Sequence, residues 1–408
     1  MTSTRSRLPR TTEPLAPTAD VPAQLAAAAG SGPDGVVRVV DLVLADADRA
    51  GASDIHFQPT PRGLEIRFRI DGVLQTATTL PREIATNVIA RLKVMSELLT
   101  YRTDIPQEGS IRTGAAEGLT TDRRVSTFPT IHGENAVVRV FNPAAGLLEI
   151  DELGLPQPAL AGMLGLLRER SGAVFLTGPS GSGKTTTIYA CLRRLTAAGD
   201  RRHIVTIEDP VEQVLDGVSQ SQARPGTEFD FARGLRSLLR QDPEVIMVGE
   251  VRDRDTAAVA IEAALTGHLV FSTLHSGSAC GVVGRLLEMG VEPYLLTGGV
   301  RGILNQRLLR RLCDACKRPD GAIWQAVGCD RCGTTGYRGR FLIGELLMPD
   351  AEVRAGVLRK ADVDALEAIA KRNGWRTIRD EAATAVADGR TTPSEVGRVL
   401  GPRPEQTN

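Results

Sequence analysis

Gly178-Pro179-Ser180-Gly181-Ser182-Gly183-Lys184-Thr185 separates two glycines by four residues and follows the second with lysine and threonine. That order of residue types suits the binding of a chain of phosphates. Glycines let successive backbone N–H groups turn inward around anionic oxygens at a helix N-terminus. Lys184 can neutralise the β- and γ-phosphates, and Thr185 can ligand Mg²⁺. The motif works only when a buried strand delivers it and a helix follows it. Ala173 to Thr177 reads as that strand. Thr186 to Leu195 reads as the helix, with Ile188, Cys191, Leu192 and Leu195 at helical spacing. The segment Gly178–Thr186 is therefore a candidate nucleoside triphosphate site.

Hydrolysis needs further groups near the phosphates. Glu244-Val245-Ile246-Met247-Val248-Gly249-Glu250 reads as a buried strand with Glu250 at its C-terminal end, where α/β sheets place ligands. We assign Glu250 to orienting or deprotonating an attacking water; an ordinary surface carboxylate is the alternative. Glu208, Asp209 and Glu212 form a second acidic cluster at a strand end, suited to holding Mg²⁺ and waters, although Glu-Asp-Pro is also common turn chemistry. His268 and His275 bracket a third strand, and either can sense a γ-phosphate or be a packed structural histidine.

Cys313, Cys316, Cys329 and Cys332 form C-x-x-C…C-x-x-C. In a reducing compartment the pattern reads as a closed tetrahedral zinc site, with disulfides as the alternative. Cys191 and Cys280 stand alone and read as small apolar core residues.

The 408 residues allow two or three domains, and a hydrophobic content of 42% supports true cores. Lys+Arg and Asp+Glu both number 49, which argues against global attraction to nucleic acid. No apolar run approaches bilayer length and no secretory signal is visible, so the expectation is a cytoplasmic protein without direct membrane insertion. Residues 1–35, rich in Pro, Thr, Ala and Gly, read as a disordered tail. Residues 36–141 read as a mixed α+β domain. An amphipathic segment begins it at Val36, the hairpin Leu64–Ile70/Val73–Leu74 follows, and a helix comes after Pro81. Strands at 124–128 and 136–141 complete it. Residues 142–158 read as a hinge. From residue 159 to 408 strands (173–177, 203–207, 245–249, 269–273) alternate with helices, which implies a parallel α/β sheet. That region includes the cysteine knuckle at 311–340 and a helical end at 341–408.

These segments, in this order, resemble the secretion ATPases of type II secretion and type IV pilus assembly, from Gly51 to about Leu400. Ala52-Ser53-Asp54-Ile55-His56, Arg67 to Gly72, Pro106 to Gly109 and Arg124 to Thr127 resemble the family's N-terminal domain. Thr206–Glu212 is similar to its Asp box. Leu239–Glu244 through Gly249–Asp253 is similar to its Walker B segment, with Glu244 where Asp is usual. Gly267–His275 resembles its His box, and Gln306-Arg307-Leu308 follows as expected. The resemblance implies a RecA-like core, a smaller PAS-like N-terminal domain, and a ring-shaped homohexamer. It also implies ATP as substrate and arginines of the smaller domain reaching the phosphates. By position that role falls to Arg124 and Arg139, then Arg67 and Arg112; on residue pattern alone they are solvated charges of a half-exposed sheet.

Gln58 and Arg102-Thr103-Asp104 depart from the family pattern, and the family's large first N-terminal domain is not expected here. The four cysteines, Gly374 to Ile378 and Gly389 to Thr392 resemble the assembly branch rather than the pilus-retraction branch. The reading is an ATP-driven hexameric motor. It works at the cytoplasmic face of the inner membrane on a platform protein, with other secretion or pilus components as possible partners. Domain rotation about 142–158 would drive a pilin or pseudopilin fibre. A retraction ATPase, a nucleic-acid-translocating ring and a non-hydrolysing nucleotide-gated scaffold are the alternatives; an aromatic content of 4% counts against nucleic acid.

Overall fold

The structure, a computed structural model, describes Leu25 and residues 32–112, 122–140, 147–199, 202–224, 226–227 and 229–402. Two compact units emerge. The first comprises the chain up to residue 145 with 313–317 and 326–338; the second comprises 146–312, 318–325 and 339–408.

In the first unit, six strands form one antiparallel sheet. They are β1 (Asp54–Thr60), β2 (Gly63–Ile70), β3 (Val73–Leu80), β4 (Gln107–Arg112), β5 (Asp122–Thr130) and β6 (Gly133–Val140), in the order β3-β2-β1-β6-β5-β4. The two-residue period sends Ile55, Phe57, Leu64, Ile66, Phe68, Val125, Ala136 and Val138 to one face. The helices Gly32–Arg49 and Arg82–Met95 contribute Val39, Val43, Val88 and Leu92 to the same core. The first helix opens at Gly32, ahead of the expected onset at Val36; apart from Leu25, residues 1–31 of the expected tail lie outside the described residues. Strands β1 and β4 were not anticipated. Lys93 is fully buried, and it is held by Glu134 at 2.5 Å and by the Arg102 carbonyl at 2.7 Å.

The second unit carries β7 (Gly172–Thr177), β8 (Ile204–Glu208), β9 (Val218–Gln222), β10 (Val245–Val248), β11 (Leu269–Leu274) and β12 (Val300–Leu312). A short hairpin, β13 (Arg318–Asp320) and β14 (Ile323–Gln325), precedes β15 (Tyr337–Leu347). The sheet order is β15-β12-β7-β11-β10-β8-β9, and every neighbour pair from β12 to β9 is parallel. β7, β8, β10 and β11 are buried along their whole length, as strands covered on both faces must be. Ala173 and Phe175 point into one core with the helices Arg254–Leu265 and Ala279–Glu288. Val174 and Leu176 point into the other, with Lys184–Ala197 and Gln157–Leu166.

Of the expected hinge 142–158, residues 142–146 lie outside the described residues and Gln157 already opens a helix. Arg193 ties the stretch before that helix to the second unit through the Leu147 carbonyl and the Glu149 carboxylate. The expected helical end at 341–408 begins too early: its first residues, Phe341–Leu347, are strand, a largely apolar run of β15 beside β12 in the sheet, and helices follow only at Ala351–Leu358, Val363–Arg372, Ile378–Ala387 and Pro393–Leu400. Each of these four opens on an Asp or Thr whose side chain accepts an N–H of the first turn.

Candidate functional site: a phosphate loop at the carboxyl edge of a parallel sheet

Parallel pairing sets which groups meet. Thr177 is in register with Leu274 of β11 and with Asn305 of β12, and Val248 of β10 with Ile207 of β8. The residues that follow β7, β8, β10 and β11 therefore leave one edge of the sheet together, the edge where open α/β sheets bind ligands.

The loop after β7 turns through left-handed glycines, Gly178 at φ +144°, Gly181 at +73° and Gly183 at +88°, and enters its helix at Lys184. A Cβ on Gly178 would stand 2.5 Å from the Gln306 carbonyl oxygen and 2.6 Å from Ser182 Oγ, so only glycine fits there. The Gln306 amide donates to the Ser182 carbonyl at 2.8 Å and holds the loop from below. Ser182 Oγ is buried without a partner. Lys184 Nζ donates to the loop's own carbonyls, Gly178 at 2.8 Å and Pro179 at 3.0 Å. Burial pulls its ammonium below the ordinary lysine value, and the charges of Glu250 and Glu212 oppose that shift. The loop thus offers a half-buried cation and an unpartnered hydroxyl at a helix N-terminus, a set that fits a polyphosphate. Thr185 and Thr186 open the helix; Thr185 would hold the Mg²⁺ that accompanies such a ligand.

Gly249 is clamped between strands: its N–H donates to the Ile207 carbonyl at 2.8 Å, and its carbonyl accepts Thr273 Oγ1 at 2.8 Å. This fixes Glu250, whose Oε2 accepts Arg252 Nε at 2.7 Å and whose Oε1 lies 3.3 Å from His275 Nε2. His275 Nδ1 donates to the Gly178 carbonyl at 3.2 Å, so one imidazole bridges the acidic strand end and the phosphate loop. The turn after His275 is pinned by Thr177, whose Oγ1 donates to the Ser276 carbonyl at 3.1 Å and accepts the Ser276 N–H at 2.8 Å.

Not all the expected residues gather here. Glu244 precedes β10, at the opposite end from Glu250, and its carboxylate accepts the His203 N–H at 3.0 Å. His268 precedes β11, with its Nδ1 donating to the Ala263 carbonyl at 2.9 Å. Asp209 and Glu212 are exposed beyond β8, with Glu212 near enough for its charge to act on Lys184. Glu208 is buried at the end of β8, where it accepts Tyr189 Oη at 2.5 Å, Thr206 Oγ1 at 2.5 Å and Gln220 Nε2 at 3.1 Å. Burial and the Glu208 carboxylate raise the Tyr189 phenol far above its usual value, so it stays a donor. Arg252 stood within the Walker B segment without a role, and Asn305 and Thr177 were not singled out for the site. Their types are unremarkable in sequence, and only strand register brings them to the edge.

In the first unit, Arg124 and Arg139 are cross-strand partners on β5 and β6, and Arg139 in turn faces Asp54 on β1, which faces Arg69 on β2. Arg139 Nε lies 3.1 Å from Asp54 Oδ1, and Arg67 Nη2 lies 2.5 Å from Glu65. The Arg112 side chain lies outside the described residues.

Cys313, Cys316, Cys329 and Cys332 bring their sulfurs within 4.8 Å of one another, with Sγ–Sγ separations of 3.9, 3.8 and 3.8 Å for the pairs 313–329, 316–332 and 329–332. A tetrahedron of sulfurs about 2.3 Å from a zinc ion has edges of about 3.8 Å; a disulfide would need about 2.05 Å. Burial works to raise the Cys332 thiol, but N–H groups of Cys329 and Gly336 pointed at the sulfur outweigh it and bring the group to about 7. The cluster fits zinc.

Fold and site together define a RecA-like P-loop NTPase. The family model described as "Type II/IV secretion system protein" matches residues 29–398, and the chain belongs to that family. It is 44% identical over 365 residues to the type II secretion system protein HxcR of Pseudomonas aeruginosa, covering 89% of this chain and 77% of that one. To the type IV pilus assembly ATPase TfpB of Acinetobacter baylyi it is 40% identical, covering 90% and 65%. The pilus retraction motor PilT with bound ADP shares the fold at a TM-score of 0.60 and 26% identity, over 90% of this chain and 98% of that one. The ATPase DotB of Legionella pneumophila does so at 0.66 and 24%, over 88% and 93%.

Proposed function

We propose that this chain is the ATP-hydrolysing motor subunit of a type II secretion or type IV pilus assembly machine. The observation that carries the reading is the convergence of Lys184, Glu250 and His275 on the glycine loop at one sheet edge. Family membership makes it an ATPase of the secretion class, and the relatives named above supply the machine.

In the proposed reaction, loop N–H groups and Lys184 hold the β- and γ-phosphates. Glu250 orients a water and takes its proton as the water oxygen bonds to the γ-phosphorus and the bond to the β–γ bridging oxygen breaks. Thr185 would hold the accompanying Mg²⁺, which would neutralise charge on the phosphate oxygens. His275, with Nδ1 on the loop carbonyl and Nε2 3.3 Å from Glu250 Oε1, registers whether the γ-phosphate is present. Arg124 and Arg139 enter as the arginines that stabilise phosphoryl charge, and their paired exposure on β5 and β6 supports that role.

The finer proposals are a homohexameric ring and an inner-membrane platform protein as partner. With them go a position at the cytoplasmic face and a zinc ion in the knuckle, whose presence favours assembly over retraction. Among the described residues no helix is long and apolar enough to cross a membrane. The test is Mg²⁺-dependent ATP hydrolysis by the purified chain, with light scattering for the oligomer. Lys184→Ala should abolish nucleotide binding and turnover together; turnover surviving in that variant would remove the proposed site.

A further inference from the structure

One buried carboxylate in the second unit has no part in the hydrolysis reading. Glu345, on β15, is 2% exposed. Its Oε1 accepts the Ala279 N–H at 2.9 Å and Asn305 Nδ2 at 2.8 Å. Its Oε2 accepts the Ile378 N–H at 2.6 Å. All three partners are donors, so the site is built for a carboxylate. Burial pushes this carboxyl up, and the bonds from Asn305, Ala279 and Ile378 pull it back.

The Oε1 side leads to the nucleotide site. Ala279 is the first residue of a helix capped by Ser278, directly after the turn that begins at His275. Asn305 also donates to the Gly277 carbonyl at 3.3 Å, within that same turn. Arg307 joins them, donating to Asn305 Oδ1 at 2.5 Å and to the Gly277 carbonyl at 3.1 Å. Between these two residues, Gln306 supports Ser182 of the phosphate loop. The Oε2 side leads away from it. Ile378 is the first residue of the helix Ile378–Ala387, with Thr377 as its cap. The link runs along the wall of a cavity of ≈340 Å³ that is also lined by Trp375, Arg376 and Glu381. Space beside a close-packed element lets it shift without overpacking a neighbour.

We propose that Glu345 is a positioning residue that couples nucleotide occupancy at the phosphate loop to the helix Ile378–Ala387, one carboxylate oxygen holding each side. The inference rests on the nucleotide-binding reading above and adds to it the route by which the bound state reaches the C-terminal helices. A displacement of His275 by an arriving γ-phosphate moves the turn 276–279, and with it the donors on Oε1. The rigid carboxylate carries that displacement to the N–H of Ile378.

Two substitutions cut the link at one point each. Glu345→Gln keeps the shape and one acceptor oxygen. With that oxygen facing the two donors of Ala279 and Asn305, the new NH₂ faces the Ile378 N–H, donor against donor. Ile378→Pro leaves Glu345 intact and removes only the N–H; proline is favoured at the first position of a helix, and Thr377 has the extended backbone that proline requires before it. Ile378→Ala removes side-chain packing but keeps the N–H and serves as the control.

The experiment is hydrogen exchange of the purified chain with and without a non-hydrolysable ATP analogue, with analogue affinity measured in parallel. In the wild type, binding should change protection across 378–387 by about fivefold or more, the lower end of ordinary coupling. Glu345→Gln and Ile378→Pro should lose that change while analogue affinity stays within about threefold, and Ile378→Ala should keep it. Persistence of the change in both link variants overturns the proposal, as does a wild type that binds the analogue without any change in 378–387. A wild type that binds no analogue instead overturns the nucleotide reading itself, and the coupling with it.

Discussion

Removing metal from the knuckle should release a defined number of thiols. The chain has six cysteines, and the four at 313, 316, 329 and 332 form the cluster. The Sγ separations of 3.8–3.9 Å match the edge expected around zinc. Structural zinc in small cysteine sites is held by roughly 10–16 kcal/mol at neutral pH, a dissociation constant of about 10⁻⁷ to 10⁻¹² M. Burial pushes the remaining two thiols, Cys191 and Cys280, up to about 12, so at pH 8 only about one in ten thousand of each is thiolate. The purified, reduced chain should therefore contain about one zinc and react slowly with a thiol reagent at pH 8. A strong chelator should release the zinc and expose four thiols, with denaturant needed for the last two. Cys332→Ser should lose the metal and raise hydrogen exchange between residues 313 and 336, the segment whose ends are joined by the Cys313 N–H and Gly336 carbonyl at 2.9 Å. A metal-free chain under reducing conditions, or release of two thiols rather than four, would refute the geometry argument.

Gly178→Ala forces a Cβ to 2.5 Å from a backbone carbonyl at φ +144°. A loop that relaxes to relieve about 1–3 kcal/mol of strain must be forced back on binding, which should weaken ATP affinity roughly 5- to 150-fold by calorimetry; unchanged affinity would count against the cradle. Glu395 is fully buried and clasps Arg310 at 2.8 Å and Arg398 at 2.6 Å, so Glu395→Ala should cost about 3–5 kcal/mol in denaturant unfolding. Burial works to raise the Glu395 carboxyl, but the bonds from Arg398 and Arg310 outweigh it and hold it below the ordinary glutamate value of 4.5. Its contribution is thus complete above that value and is lost as pH falls through the lowered one. The stability gap to Glu395→Gln should be flat near neutrality and close under acid; a gap that widens there would contradict the clasp.

The second unit was the more readable half. β7, β8, β10 and β11 are uninterrupted apolar runs because both faces are covered, and such runs stand out in any sequence. β1 and β4 do not. β1 contains Pro59 and alternates with Gln58 and Thr60, and β4 has Ile111 as its one large apolar side chain around Gly109. Gly109 is there because a Cβ would meet the Ser96 carbonyl oxygen at 2.4 Å, a tertiary constraint with no local signature. The site was legible as motifs, and Glu250 as the end of its strand, but not which members of each motif share one edge of the sheet. Glu244 and Glu250 belong to one motif, yet a strand between them separates such residues by roughly 20 Å, and the same holds for His268 and His275. Only Glu250 and His275 reach the phosphate loop. Glu345 was invisible for a different reason. Its partner Asn305 lies forty residues earlier, and the whole cysteine insertion separates them.

The central claim is that Glu250 performs the chemical step in a site that Lys184 and the glycine loop have already filled with ATP. Its most direct test is the steady-state turnover of Mg²⁺·ATP by the purified chain beside Glu250→Gln, with bound nucleotide measured in the same samples. The account predicts Mg²⁺-dependent turnover in the wild type. In the variant it predicts a loss of about 10²- to 10⁴-fold with ATP still bound, the signature of a missing base rather than a missing site. Equal turnover in the two proteins would contradict it.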